Sequence, residues 1–263
     1  MLLDTPPSKL SYLNKNFILS LDIMVQNIPV HVAIIPDGNR RFAKKLLKKP
    51  WKGHEWGVNK LKDVLGWCRE LGIKFITIYT LSLENIKKRP KREIDYLLKL
   101  AKKEMDDIIY DKAHFIHKHR VKVRFIGRLN ILPESIRERI KRIEELTANS
   151  SQYFLNLAIA YGGKQEIIDA FKKFAIDIKN NGKSLDIESV DERFFRRYLY
   201  LSDMPDPDLV IRTGGEKRIS NFLLFQTAYS ELVFIDSMWP ELSKEQFMQA
   251  IEDFATRKRR FGS

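Results

Sequence analysis

Short unbroken runs of apolar residues alternate along this chain with longer stretches in which apolar residues recur every three or four positions. The runs at Val30–Ile35, Lys74–Thr80, Val121–Ile126, Tyr153–Ala160, Leu209–Ile211 and Leu232–Ile235 predict six strands. Between them the helical period predicts helices over 53–71, 91–119, 133–147, 164–180 and 243–260. The longest, 91–119, gathers Ile94, Leu97, Leu98, Ala101, Met105 and Ile108 on one side. Gly72 closes the first helix, Pro133 opens the third, and Gly162-Gly163 turn into the fourth. Strands that read as continuous apolar runs are covered on both faces. The fold class is therefore α/β, a single domain with a central, mostly parallel six-stranded sheet flanked by helices. Ligands in such folds bind beyond the carboxyl ends of the strands, so chemistry is sought there.

Ahead of the first strand, Leu10, Leu13, Phe17, Leu21 and Met24 repeat at helical spacing and predict an amphipathic helix over 8–25. Pro6-Pro7 and Pro29 bound it, which divides the chain into an N-terminal helical extension, 1–28, and a body, 29–263.

Charge narrows the partners. Lys and Arg number 47 against 34 Asp and Glu, a formal +13, so anionic partners are expected: nucleic acid, an acidic membrane surface or phosphorylated metabolites. Nucleic acid loses weight because the basic residues are spread over many segments and no recognition module accompanies them. Cys68 is the only cysteine, which excludes an intrachain disulfide and a cysteine zinc cluster and points to a reducing, cytoplasmic location. The N-terminus lacks a signal-peptide pattern, and no apolar run approaches the roughly 20 residues that span a bilayer.

Three strand ends carry candidate chemistry. After the first strand come Asp37, Gly38, Asn39, Arg40, Arg41 and Phe42. A glycine lets backbone N–H groups approach a phosphate, Asp37 offers a hard oxygen to Mg²⁺, and Arg41 can grip phosphate oxygens in a fork. Pro-Asp-Gly-Asn reads equally as an ordinary tight turn. After the second strand come Ser82, Leu83, Glu84, Asn85 and Ile86, then Lys87, Lys88, Arg89 and Pro90, a second anion site or simply a turn with a solvated basic run. After the fifth, Arg212, Lys217, Arg218, Ile219 and Ser220 surround Gly214-Gly215. This dense anion-binding segment contains neither a P-loop nor a dinucleotide fingerprint. Glu231, just before the last strand, is a second carboxylate for a metal. His54 opens the first body helix near the Asp37 loop, as a phosphate ligand or a structural residue. His114, His117 and His119 read as solvent-facing residues near a helix end. Residue types and spacing thus give a Mg²⁺–diphosphate site on a parallel α/β fold.

Residues 31–45 (HVAIIPDGNRRFAKK), 78–85 (IYTLSLEN), 159–167 (IAYGGKQEI) and 212–232 (RTGGEKRISNFLLFQTAYSEL) together resemble the cis-prenyltransferase family of undecaprenyl and polyprenyl diphosphate synthases. The resemblance runs from about Pro29 to Arg259-Arg-Phe-Gly262 and makes 29–263 the catalytic domain. It implies condensation of isopentenyl diphosphate, in Z configuration, onto an allylic diphosphate primer, farnesyl or geranylgeranyl diphosphate. The polyprenyl diphosphate product would be the precursor of a glycosyl carrier lipid. It also implies Mg²⁺ as cofactor and a homodimer whose C-terminal segment reaches the partner's site. By that resemblance Asp37 holds Mg²⁺ with Glu231, while Gly38, Asn39, Arg40, Arg41, Phe42 and His54 bind the allylic diphosphate. Ser82, Leu83, Glu84 and Ile86 line the site, and Asn85 stands where proton removal is expected. Arg89 binds substrate, and Arg212, Arg218, Ile219 and Ser220 hold isopentenyl diphosphate. The helix at 91–119 would flank an apolar tunnel, although ordinary core explains most of its stripe equally well. The sequence departs from the pattern at Phe42, Ile86 and Pro50 and by one extra residue before Pro90. That leaves Lys88 against Arg89, and Lys49 or Lys52 in place of an arginine at Pro50. A non-catalytic partner subunit of a heteromeric enzyme is the alternative. The hydrophobic product is the reason to expect peripheral membrane contact.

Overall fold

The computed structural model describes residues 27–181 and 187–257. The helix expected over 8–25 and the segment Arg259–Gly262 lie outside the described residues. Six strands form one sheet: β1 (His31–Ile35), β2 (Phe75–Ser82), β3 (Val121–Ile126), β4 (Tyr153–Tyr161), β5 (Leu209–Arg212) and β6 (Glu231–Phe234). Their order is β3-β4-β2-β1-β5-β6, and all five pairings are parallel, so the sheet is wholly rather than mostly parallel.

The helices are α1 (Asn39–Lys45), α2 (Gly53–Glu70), α3 (Leu83–Lys88), α4 (Lys91–Tyr110), α5 (Phe115–Lys118), α6 (Glu134–Thr147), α7 (Gly163–Asn181), α8 (Glu192–Arg196) and α9 (Lys244–Thr256). Every residue of β1 is buried, as a central strand covered on both faces requires. Alternate residues serve two cores. Val32 and Ile34 face α2, α4, α6 and α9 through Val64, Met105, Ile140 and Phe247, while Ala33 and Ile35 pack with Tyr79, Tyr161 and Phe222. Ser243 and Gln246 close a capping box that starts α9.

The helix expected over 91–119 is interrupted. Asp111 leaves the helical region and its Oδ1 accepts the Ala113 N–H at 2.9 Å, an Asx turn that competes with the helix and ends α4 at Tyr110. His114 then caps α5 by accepting the Ile116 N–H, so it is a half-buried turn residue rather than a solvent-facing one. Two stretches expected as loop are helical: Asn39 and Arg41 lie on α1, and Leu83–Lys88 forms α3 behind the cap made by Ser82.

Candidate active site

The carboxyl ends of β1, β2 and β5 lie side by side in the sheet, which brings the three predicted segments to one rim. Two glycines make the close approach work. Gly38 has φ +102° and a side chain there would collide with Met238. Gly214, at φ +84°, passes against the Asp37 backbone and the Arg41 guanidinium. Thr213 fixes the turn, accepting the Asp37 N–H at 3.0 Å and donating to the Asp37 carbonyl at 2.9 Å.

Asp37 is the centre of this rim. Arg212 Nη2 donates to its Oδ2 at 2.8 Å, the Gly38 N–H donates to Oδ1 at 2.6 Å, and Arg41 Nη2 stands 3.4 Å from Oδ1. Burial alone would push the Asp37 carboxyl up. The Arg212 and Gly38 hydrogen bonds and the charges of Arg212 and Arg41 outweigh it and hold the group below the usual carboxylate range. Arg212 is itself buried, 4% exposed, and is gripped by the Arg218 carbonyl and by Ser220 Oγ at 2.7 Å. Ser220 and Asn221 take left-handed backbone angles, φ 50° and 65°, so the segment carries strain where its hydroxyl meets Arg212. Arg218 reaches Glu216 at 2.5 Å on the exposed side, and Ile219 packs inward on the core. Arg212 Nε and Asn39 Oδ1 are buried with no hydrogen-bond partner among the described residues, Asn39 Oδ1 lying against Gly57.

A second charged cluster flanks the first. Glu93 on α4 is 2% exposed, with Arg89 Nη1 at 3.1 Å, Arg40 Nε at 3.5 Å and His54 Nε2 at 3.9 Å from its Oε1. Arg89 also donates to His54 Nε2 at 3.3 Å. Burial, followed by the charges of Arg89 and Arg40, drops the His54 imidazole to about 3, so it is neutral here. Arg89 and not the exposed Lys88 occupies this cluster. Lys49 sits over the Trp51 ring and Lys52 pairs with Glu55, so neither joins it. Glu93 was missed in the sequence because nothing in its spacing reveals burial.

Ser82 Oγ accepts the Asn85 N–H at 3.0 Å, Leu83 is buried and Ile86 packs on the core. Glu84 Oε1 accepts from Asn221 Nδ2 at 2.8 Å, tying the end of β2 to the segment after β5. Phe42 packs edge-on against Trp56. From Pro36, Asn39 and His54 an apolar cavity of about 230 Å³ runs between the sheet and the helices α2 and α4. Leu97, Leu98, Ala101, Met105 and Ile108 of α4 line it, so this part of the stripe read equally as core faces open space. Lys62, Glu104 and His114 also border it, with a 2.9 Å ion pair between the first two.

Glu231 does not meet Asp37 within one chain. It begins β6, opposite Leu209, three residues or about 10 Å of strand back from the Arg212 level, and Arg257 pairs with it at 2.6 Å. The parallel direction of β6 sends its first residue to the amino edge of the sheet. Among the described residues no group of three or more His, Cys, Asp or Glu could hold a metal.

A mouth that gathers arginines around Asp37 and Glu93 and opens on an apolar cavity suits amphiphiles with a multiply anionic head and a hydrocarbon tail. Residues 35–262 match the family described as "Putative undecaprenyl diphosphate synthase", and the chain belongs to this undecaprenyl diphosphate synthase family. It is 51% identical over 235 residues to the tritrans,polycis-undecaprenyl-diphosphate synthase (geranylgeranyl-diphosphate specific) of Pyrococcus horikoshii, covering 89% of this chain and 87% of the relative. The protein of the same name from Methanopyrus kandleri is 48% identical, over 93% of this chain and 89% of the relative. The crystal structure of lavandulyl diphosphate synthase from Lavandula x intermedia, in complex with dimethylallyl diphosphate, superposes with a TM-score of 0.83. It shares 32% identity, over 90% of this chain and 100% of that one.

Proposed function

We propose that this chain is a self-sufficient cis-prenyl elongating enzyme that adds isopentenyl diphosphate to geranylgeranyl diphosphate and releases undecaprenyl diphosphate. The observation that carries it is the Asp37–Arg212 pair at the mouth of the 230 Å³ apolar cavity. The charge of the mouth suits a diphosphate head, and the apolar lining of the cavity suits a prenyl tail. The choice of primer and product is supported by relatives of that specificity at 51% and 48% identity. A long-chain diphosphate that partitions into lipid also suits a precursor of a glycosyl carrier lipid.

The residues divide the work. Gly38, Asn39, Arg41 and the Arg40–His54–Arg89 cluster take the allylic diphosphate, and Arg212, Arg218 and Ser220 take isopentenyl diphosphate. As the allylic C–O bond breaks, diphosphate leaves and the alkene of isopentenyl diphosphate forms the new C–C bond to the allylic carbon. A proton is then lost from the adjacent carbon. The guanidinium groups oppose the negative charge that builds on the leaving group, and the apolar surroundings of the cavity strengthen that effect. An amide is too weak a base to keep a proton near neutral pH. Asn85 therefore orients the departing proton, and the released diphosphate accepts it. Asp37 fits a Mg²⁺ ion that arrives with its diphosphate, since such ions take one or two carboxylates and complete their shell from substrate and water. When bound, the ion would further neutralise the leaving group.

Because Glu231 and Asp37 lie at opposite edges of one sheet, a site using both needs two chains. The exposed stripe Ile168, Phe171 and Ile178 on α7 supports a homodimer, since such a face is usually covered. Inactive Asp37→Ala and Glu231→Ala chains, refolded together, should regain turnover through mixed dimers that hold one complete site. No regain would confine each site to one chain.

The deciding experiment incubates the purified chain with Mg²⁺, labelled isopentenyl diphosphate and, separately, geranyl, farnesyl and geranylgeranyl diphosphates. Product of undecaprenyl length from the geranylgeranyl primer is expected, with a loss of about a hundred- to a thousandfold in Asp37→Ala. Folded protein that yields nothing with any primer would favour a non-catalytic partner subunit.

A further inference from the structure

The segment from Asn39 to Lys52 carries seven basic residues and no acidic one, and its centre reads Lys44-Lys45-Leu46-Leu47-Lys48-Lys49. Leu47 is 95% exposed and Leu46 43%, and the four lysines around them are exposed as well. Folding gives no reason for a leucine at this point. The chain leaves α1 through a Schellman turn, with the Lys48 N–H donating to the Ala43 carbonyl at 2.9 Å and the Leu47 N–H to the Lys44 carbonyl at 3.0 Å. Leu47 occupies the left-handed position of that turn, φ 55°, where glycine is the unstrained choice. A bulky apolar side chain thus stands in water at a backbone angle that disfavours it, ringed by cations.

We propose that this tip docks the protein on an anionic lipid bilayer, with Leu46 and Leu47 entering the interface and Lys44, Lys45, Lys48 and Lys49 meeting the headgroups. Leucines among lysines suit that boundary, where apolar burial and attraction to acidic lipids add. Nucleic acid would leave the leucines idle, and a second copy would bring two like-charged tips together. Of the four lysines, Lys45 has an acidic neighbour, Glu241 at 2.7 Å, so most of the charge remains uncompensated. The tip lies one short helix from Asn39 at the cavity mouth, roughly 10 Å away along α1. Docking there holds the mouth near a bilayer, where long prenyl chains partition.

The test is co-sedimentation of the full chain, without substrate, with vesicles of equal parts phosphatidylcholine and phosphatidylglycerol, so it does not depend on the proposed reaction. The unmodified chain is expected to bind these vesicles and to be released by high salt. Leu47→Gly suits the left-handed turn, so its melting temperature should hold or rise while vesicle affinity falls roughly ten- to a hundredfold. Lys44→Gln with Lys48→Gln should weaken binding by roughly fivefold per lysine. Failure of the unmodified chain to bind overturns the proposal, as does equal binding to phosphatidylcholine alone. Undiminished binding by Leu47→Gly or by the lysine pair overturns it too.

Discussion

A fully buried histidine and a half-buried one on the same sheet-and-helix framework live in opposite surroundings. His31 opens β1 and has neutral partners: Nδ1 lies 2.7 Å from the Pro205 carbonyl and Nε2 lies 2.8 Å from Thr77 Oγ1. The Pro205 carbonyl can only accept, so Nδ1 carries the hydrogen and the Thr77 hydroxyl donates to Nε2. Asn156 Nδ2 completes the chain by donating to Thr77 at 3.0 Å. Burial pulls His31 down to about 4, against the pull of the Pro205 hydrogen bond, Asp208 and Asp206. His54 is also depressed mainly by burial, yet its neighbours are Arg89, Arg40 and Glu93, two cations and one anion. One imidazole has both ring nitrogens satisfied by neutral partners. The other sits where positive charge exceeds negative, and that surplus is what an anionic ligand would balance.

The largest effect should come from removing Glu93. Glu93→Ala leaves the largely buried Arg89 without its carboxylate and takes a partner from the exposed Arg40, and the loss should be about 3–5 kcal/mol of folding stability. Guanidinium denaturation with and without inorganic diphosphate measures it. Diphosphate should restore more stability to the variant than it adds to the unmodified chain, because it supplies the missing negative charge. An unchanged midpoint, or no extra rescue, would mean that the cluster is no anion site.

Next in size is acid sensitivity. His31 is harder to protonate folded, at about 4, than unfolded, at 6.5, so in that interval the unfolded chain binds more protons. Stability is therefore complete above pH 6.5 and falls as the pH drops toward 4, by about 3 kcal/mol from this residue. His54 adds loss of the same sign over a window reaching about 3. Diphosphate should remove the His54 share and leave that of His31. Thr77→Val should cost about 1–3 kcal/mol at neutral pH by stripping His31 of its donor, with turnover retained. A denaturation midpoint that stays level from pH 7 to 4 would contradict both assignments.

The fold was largely legible in the sequence because a parallel sheet writes itself as apolar runs, and all six runs lie within two residues of a strand boundary. The break after Tyr110 was hidden, since the apolar stripe continues through Ile116 while a single Asx turn at Asp111 ends the helix. At the site, glycines, arginines and Asp37 announced themselves through their position after strands. The Arg89–Glu93–His54 cluster did not, because its members come from two separate helices and the turn that ends α3, and only packing shows that Glu93 is buried. The cavity was equally silent. Leu97 or Ala101 facing open space reads the same as Leu97 or Ala101 facing core, and the difference lies in how far α2 and α4 stand from the sheet. Glu231 shows the opposite limit: its sequence position beside a strand was clear, but strand direction decides which edge it serves.

The smallest expected effect is also the sharpest on the two histidines. Imidazole signals followed by NMR across mildly acid pH should show His54 beginning to protonate at a higher pH when inorganic diphosphate is added, while His31 stays where it was. The reason is local. A diphosphate beside Arg40 and Arg89 adds negative charge next to His54, which favours the imidazolium. His31 stands at the other end of β1, beside its own charged neighbours Asp208, Asp206 and Arg196 and across the sheet, where charge at the rim reaches it only weakly. If both signals move together, the ligand is changing the whole fold and the contrast between a satisfied and a waiting imidazole disappears. If neither moves, the diphosphate binds at Asp37 and Arg212 alone, and the Glu93 cluster serves stability without touching substrate.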